Sequence, residues 1–325
     1  MTQPIRIGLL GASRIAPGAV IEPAKSDPRF AITAVAARDP ARARSYADEH
    51  GVEAVAQSYA ELVRREDVDL VYVALPPAGH LEWTLAALEA GKAVLCEKPF
   101  ARDAQEAEQM TADAAARGLP LIEAFHYRFH RVMRDAVQAV RTGAIGRVVR
   151  GEAQFEVAIA RTPGELRWSR AQGGGGLMDL GCYPLHALRT LLGEEPRVSS
   201  AHAVFEDGVD STLHAELSFT SGATGQIDCS MIPERPQAWL RLQGDRGSLE
   251  ILNFLAPQRG CRFTITGADG VAKAQPTEGP STYAAQLDHV ADVLAGKAQP
   301  LTGGADAVAN MRAIDAIYAA AGRPA

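Results

Sequence analysis

Ile5-Arg6-Ile7-Gly8-Leu9-Leu10-Gly11-Ala12-Ser13-Arg14-Ile15-Ala16 is an apolar run that breaks on a glycine and continues into a helix-compatible segment. From Gly11 the spacing fits the pattern Gly-x-Gly-x-x-Gly/Ala, with Ser13 in the middle place and Ala16 in the last. The first glycine makes a tight turn, and the small last residue lets helix and strand pack closely. Free backbone N–H groups at a helix N-terminus then meet an anionic pyrophosphate. Ser13 costs some backbone clearance and offers a hydroxyl. Alone, the pattern also describes a plain strand–turn–helix, so its surroundings decide.

Working outward, strand-like and helix-like segments alternate. Apolar runs at 30–37, 70–75, 93–96 and 119–125 are separated by helix-compatible stretches at 40–50, 81–90 and 103–117. Pro17 suits the first turn of a helix over 14–25, and Pro23 forces a kink or an early end. Such alternation implies right-handed crossovers and a parallel sheet covered on both faces. The runs are apolar throughout, as doubly covered strands are. After Phe125 the texture changes. A helix at 132–141 precedes strand-like runs at 147–159, 197–205, 212–219, 223–231, 238–243, 248–251 and 261–265. Asp207-Gly208, Ser221-Gly222 and Asp269-Gly270 are turn signals, and Gly222 marks a hairpin. Helices at 178–192, 283–295 and 306–321 are expected to pack on this second sheet. The expected fold is α/β: a dinucleotide-binding domain over 1–122 with a parallel sheet, then a domain over 123–325 built on a large, open, mostly antiparallel sheet.

Bulk properties narrow the function. The 325 residues suffice for two domains, and 47% hydrophobic with 22% charged residues describes a well-filled core. A net charge of −6 argues against nucleic acid or an anionic membrane as partner. It leaves room for an anionic cofactor, which needs only local donors. The first apolar run breaks at Gly11, too short for a secretory or membrane segment, so a cytoplasmic location is expected. Cys96, Cys182, Cys229 and Cys261 are widely spaced and read as free thiols. His126 and His130 are four apart, but no glutamate sits between them as in His-Glu-x-x-His, and no metal is expected.

The end of the second strand bears on the cofactor. An NAD site usually places an acid there for the ribose 2′-hydroxyl, whereas an arginine suits a 2′-phosphate. Here the strand ends Ala36-Ala37-Arg38, and Asp39 precedes Pro40, where it can cap a helix. NADP is therefore expected, with NAD possible.

Three further stretches complete a pattern: Glu97-Lys98-Pro99; Glu123-Ala124-Phe125-His126-Tyr127-Arg128-Phe129-His130; and Gly173 to Gly176 followed by Asp179-x-Gly181-x-Tyr183. With the opening fingerprint they resemble the Gfo/Idh/MocA oxidoreductase family over essentially the full length. The resemblance implies NAD(P)-dependent hydride transfer at a hydroxyl-bearing carbon of a sugar, cyclitol or related polyol. It also implies a substrate-binding second domain whose sheet is often used to form homodimers or higher homo-oligomers. Within that family the lysine of Glu-Lys-Pro is catalytic or orients the substrate, which carries over to Lys98. A cis Lys98–Pro99 bond is typical of the relatives.

Asp179 and Tyr183, at i and i+4, share one face of a helix. Many relatives have histidine where this chain has Tyr183. The tyrosine version resembles the branch with glucose–fructose oxidoreductase, aldose 1-dehydrogenases and dimeric dihydrodiol dehydrogenase. A phenol with an ordinary pKa near ~10 needs an adjacent cation to act near neutrality. Tyr183 is thus read as proton donor and acceptor tuned by Lys98, with Asp179 orienting the substrate. The four glycines before Asp179 are read as letting backbone approach cofactor or substrate. The expected cofactor contacts are Gly11, Ser13, Arg14, Ile15 and Arg38, with Leu75, Pro76, His80, Glu97, His126, Trp168 and Tyr283 implied around the nicotinamide. The expected partner is a small polyhydroxy substrate. Two alternatives stay open: a trans-dihydrodiol dehydrogenase, and a non-catalytic NADP-binding sensor.

Overall fold

The opening apolar run forms β1 (Ile5–Leu10), with its last four residues buried. The structure, a computed structural model, describes residues 3–323. β2 (Phe30–Ala36), β3 (Ala54–Val55), β4 (Leu70–Val73), β5 (Ala93–Cys96) and β6 (Leu121–Glu123) join β1 in one sheet. Its order is β3-β2-β1-β4-β5-β6, and every pairing is parallel. This is the doubly wound dinucleotide order, with its switch point between β1 and β4.

A wide π-type turn at Pro17–Ile21 leads into α1 (Glu22–Lys25). α2 (Pro40–His50) starts where the Asp39 carboxylate accepts from Ala41 N–H at 2.9 Å and stops at Gly51, φ 69°. Such a cap stabilises by about 1 kcal/mol. α3 (Tyr59–Arg64) lies in a stretch with no sequence expectation. Ser58 caps it, and only Leu62 and Val63 are buried, too few to set up a visible period. α4 (His80–Glu89) and α5 (Ala104–Arg117) follow, the latter closed by Gly118, φ 65°.

The second sheet comprises β7 (Val148–Glu156), β8 (Arg197–Glu206), β9 (Val209–Ser218), β10 (Thr224–Ser230), β11 (Gln237–Gly244), β12 (Gly247–Leu252), β13 (Arg262–Thr266) and β14 (Ala272–Ala274). They are ordered β14-β13-β12-β11-β7-β10-β9-β8, antiparallel except for β7 with β10. β9 and β10 form the expected hairpin through Gly222. Burial alternates along β9, β10 and β11, the signature of a sheet covered on one face. The other face carries polar ladders, including Arg150 to Glu152 and Gln226, and His214 with Asp228.

α6 (Arg131–Arg141) precedes this sheet, and α7 (Cys182–Leu192) packs on it, Leu188 filling the space left by Gly151. The last helices are α8 (Thr282–Leu294) and α9 (Gly304–Ala320). The described chain forms two compact units. One runs through Phe125 and takes in Tyr283–Val308; the other is His126–Thr282 with the chain from Ala309. One expectation is corrected here. The helix at 283–295 does not cover the antiparallel sheet: Leu287, Val290, Ala291 and Val293 join Ile7, Leu9, Leu70 and Tyr72 in the first unit's core. An apolar helix stripe carries no address, so its sequence could not name the sheet it covers. Among the described residues no helix is long and apolar enough to cross a membrane.

Candidate active site

In the first unit the fingerprint turn is set by Gly11, at φ 104°. A Cβ there would lie 2.8 Å from the Ala74 carbonyl oxygen, so only glycine lets β1 turn so close to the end of β4. Gly11 N–H donates to Ala36 O at 2.9 Å, and Ser13 Oγ accepts from Ala16 N–H at 3.2 Å. Two carbonyls of the turn are held from α2. Arg42 Nη2 donates to Ala12 O at 2.8 Å, and the Tyr46 hydroxyl donates to Ser13 O at 3.0 Å. Burial pushes the Tyr46 phenol up to about 12, which keeps it a donor. Among the described residues, no chain acceptor takes the amides of Ala12, Ser13 or Ile15. A pyrophosphate fits these donors. Arg14 and Ile15 lie exposed next to them. At the end of β2, Asp39 is committed to capping α2 while Arg38 stays exposed, an arrangement suited to a 2′-phosphate.

Across the switch point, Leu75 and Pro76 follow β4, and Glu97-Lys98-Pro99 follows β5. The Lys98–Pro99 bond is cis. His80 is fully buried, with Nε2 2.8 Å from Leu75 O and Nδ1 3.1 Å from Pro99 O and 3.2 Å from Phe100 O. Burial holds its pKa below the usual histidine range. His80 thus packs between the two strand-end loops, and its single neutral-form N–H donates to a carbonyl of one of them. Glu97 is fixed from both sides: the Tyr72 hydroxyl donates to Oε1 at 2.5 Å and Lys98 N–H to Oε2 at 3.3 Å. Tyr283, on α8, packs partly buried against this unit's core.

In the second unit Tyr183 opens α7 and is buried. Its hydroxyl is 3.3 Å from His126 Nε2, and His126 Nδ1 is 2.8 Å from Thr282 Oγ1. The Tyr183 ring meets Tyr127, Phe155 and His126 edge-on, with centroids 5.8, 5.7 and 5.8 Å away. Each aromatic pair of this kind contributes about 1 kcal/mol beyond burial. Tyr127 is itself tied to His186 Nδ1 at 2.5 Å, which gives His186 a structural place.

Asp179 lies in a wide π-type turn, Leu177–Gly181, in which Cys182 N–H reaches back to Leu177 O. The stretch 178–192 is therefore not one regular helix. The turn begins where the glycine run ends. Leu177 N–H donates to Asp210 Oδ2 at 2.6 Å, and the Tyr318 hydroxyl donates to Oδ1 at 2.7 Å. Gly175 has φ 133°, and a Cβ there would collide with Asp210 Oδ1 and stand 2.8 Å from the Tyr318 hydroxyl. A Cβ on Gly174 would lie 2.5 Å from Arg167 O. The close approach at these two glycines is to the protein's own buried carboxylate and carbonyl. Burial pushes Asp210 up to about 6.

Arg167 Nη1 stands 3.7 Å from Asp179 Oδ2, while Glu165 holds the same guanidinium at 2.8 and 2.9 Å and raises its pKa. Trp168 packs within this unit: its indole N–H donates to Ile159 O at 2.9 Å, and Arg161 stacks 4.0 Å over its ring. Among the described residues no cluster of histidine, cysteine, aspartate or glutamate could hold a metal. Cys96, Cys182 and Cys229 are buried free thiols, and burial raises Cys96 and Cys229 well above the usual range.

Sequence reasoning missed the supports. Arg42 was within reach, in the first turn of α2 just after the strand end read for the cofactor. Tyr72, Thr282, Asp210 and Phe155 were not, because nothing local marks a residue whose partner lies far along the chain.

Residues 5–125 match a family model described as "Oxidoreductase family, NAD-binding Rossmann fold", and residues 133–250 match a "GFO/IDH/MocA C-terminal domain". The chain is 32% identical over 316 residues to D-xylose 1-dehydrogenase (NADP(+)) 2 of Haloferax volcanii, covering 97% of this chain and 96% of that one. It is 33% identical over 228 residues to trans-1,2-dihydrobenzene-1,2-diol dehydrogenase of Mus musculus, covering 70% and 68%. Its fold superposes on the aldose-aldose oxidoreductase of Caulobacter crescentus, solved with glycerol, at a TM-score of 0.89 and 29% identity, over 98% and 97% of the two chains. With both domain types matched in order along the chain, the chain belongs to the Gfo/Idh/MocA family of NAD(P)-dependent oxidoreductases.

Proposed function

We propose that this enzyme moves hydride between NADP and a hydroxyl-bearing carbon of a sugar or polyol, with Tyr183 giving and taking the substrate proton. Lys98 holds the substrate oxygen, and Asp179 orients the substrate. The bound nicotinamide supplies or accepts the hydride. In the oxidative direction the Tyr183 oxygen takes the substrate hydroxyl proton as the carbon loses its hydride. The observation that carries this reading is the Tyr183 hydroxyl 3.3 Å from His126 Nε2 inside an aromatic box. Burial alone asks a phenol for a partner; the histidine found here is one that can accept from or donate to the oxygen as its proton moves.

Gly11, Ser13, Arg14 and Ile15 take the pyrophosphate, and Arg38 takes the 2′-phosphate, so NADP binds ahead of NAD. Leu75, Pro76 and Glu97 line the nicotinamide end. The open face of the second sheet serves a homodimer or larger homo-oligomer, and the free thiols suit a reducing cytoplasm.

The test is oxidation of a panel of aldoses and trans-dihydrodiols, followed by the absorbance of reduced cofactor. Lys98→Ala and Tyr183→Phe, each shown folded, should lose about 10²- to 10⁴-fold in turnover. Full turnover in either variant overturns the role given to that residue. The mouse relative favours a second reading, a dihydrodiol as preferred substrate, which the same panel decides. A protein that binds NADP but turns over nothing in the panel supports the silent sensor instead.

A further inference from the structure

We infer that His126 is a positioning residue for Tyr183, held in one tautomer by Thr282; this rests on Tyr183 being the proton donor proposed above. The three groups form a chain: Thr282 Oγ1, 2.8 Å to His126 Nδ1, then His126 Nε2, 3.3 Å to the Tyr183 hydroxyl. Thr282 is fully buried and His126 and Tyr183 nearly so.

A neutral imidazole has one N–H and one lone pair, whereas each hydroxyl can donate or accept. Two arrangements satisfy all three groups. In one, Tyr183 donates to Nε2 and Nδ1–H donates to Thr282. The phenol proton is then turned toward the histidine and withheld from substrate. In the other, Thr282 donates to Nδ1 and Nε2–H donates to the Tyr183 oxygen. The phenol proton is then released toward the substrate, and the oxygen it leaves behind already faces an N–H. Only the second arrangement serves proton transfer in both directions. On reduction, the Tyr183 O–H bond breaks, its proton goes to the substrate oxygen as the carbon receives hydride, and the phenolate accepts from Nε2–H. On oxidation the same oxygen recovers a proton from the substrate hydroxyl. The imidazole proton stays on His126 throughout.

The chemistry distinguishes this role from a cofactor contact, the place expected for His126 from the sequence. A histidine that touches cofactor sets its affinity; one that aims Tyr183 sets the rate.

The experiment combines ¹⁵N-histidine NMR with kinetics, using D-xylose and NADP⁺ as the reacting pair. In the wild-type protein the His126 shifts should report a proton on Nε2. Thr282→Val should move the tautomer balance toward Nδ1–H, and Tyr183→Phe should move the Nε2 shift; neither reading needs turnover. His126→Phe and Thr282→Val should lower kcat about tenfold or more while NADPH affinity, read by fluorescence titration, stays unchanged. His126→Gln, whose amide N–H can stand in for Nε2–H, should recover most of the rate. His126 shifts indifferent to both Thr282→Val and Tyr183→Phe would overturn the inference, as would a loss of NADPH affinity that accounts for the loss of rate. If His126→Phe does not fold, Thr282→Val and the wild-type shifts decide. An inactive Tyr183→Phe beside a fully active Thr282→Val sinks this inference alone. A fully active Tyr183→Phe sinks the proton-donor reading and this one with it.

Discussion

The two units hold their candidate functional groups over different spans of sequence. In the first unit the cofactor turn is held over shorter spans: Ser13 serves Ala16 three residues on, and Arg42 and Tyr46 hold the turn across 30 and 33 residues. In the second unit the partners of the Tyr183 group are remote: Tyr183 to His126 spans 57 residues, Tyr127 to His186 spans 59, and His126 to Thr282 spans 156. A nucleotide is a constant ligand, and a short turn suffices to meet it. A proton donor needs a fixed direction, and that takes a packed surround drawn from across a domain. Each unit contains a wide π-type turn, at Pro17–Ile21 and at Leu177–Gly181.

The sharpest way to break this contrast is at the glycines. Gly175→Ala should destabilise the protein by about 3 kcal/mol or more, because it combines a positive φ with a collision on Asp210. It should also disturb Asp179, whose N–H donates to Gly175 O at 2.9 Å. A denaturation midpoint matching wild type would show that the remote packing is softer than described.

Asp210→Asn sharpens the comparison in the other direction. The folded carboxyl sits at about 6, above its ordinary 3.8, because burial opposes ionisation. Ionising it therefore costs stability. The cost is absent below the unfolded pKa, grows as pH rises between the two values, and is full above about 6, where it reaches roughly 3 kcal/mol. An asparagine keeps an acceptor for Leu177 N–H and can donate to the Tyr318 oxygen, without the charge. The variant should be more stable than wild type at about pH 8 and converge on it near pH 4. Urea midpoints at the two pH values check this, and a variant less stable at the higher pH contradicts it.

The smallest effect belongs to the local part. Arg38→Ala should weaken NADP binding about ten- to a hundredfold, the worth of one charge-assisted contact, and leave NAD binding nearly unchanged. Fluorescence titration with the two reduced cofactors measures it. An undiminished NADP preference removes Arg38 from the cofactor assignment.

The same contrast explains what could be read from the sequence. The parallel sheet was legible because its strands are apolar throughout and its glycine turn has fixed spacing. The open second sheet was legible from alternation and turn residues. Lys98, Asp179 and Tyr183 stood out through short motifs. What escaped were residues whose meaning is a distant contact. Asp210 is one aspartate among many until Gly175 and Leu177 are laid on it. Thr282 is an ordinary helix-start threonine until His126 is beside it. The helix from 283 escaped for the same reason, since a stripe of Leu287, Val290 and Ala291 fits either unit's core.

The account depends on Lys98 and Tyr183 acting on the same substrate oxygen, and a double-mutant cycle on kcat/KM tests that most directly. If the ammonium and the phenol work as one unit, Lys98→Ala combined with Tyr183→Phe should be little worse than the poorer single variant. Losses that multiply in the double variant, as for two groups working independently, would contradict it.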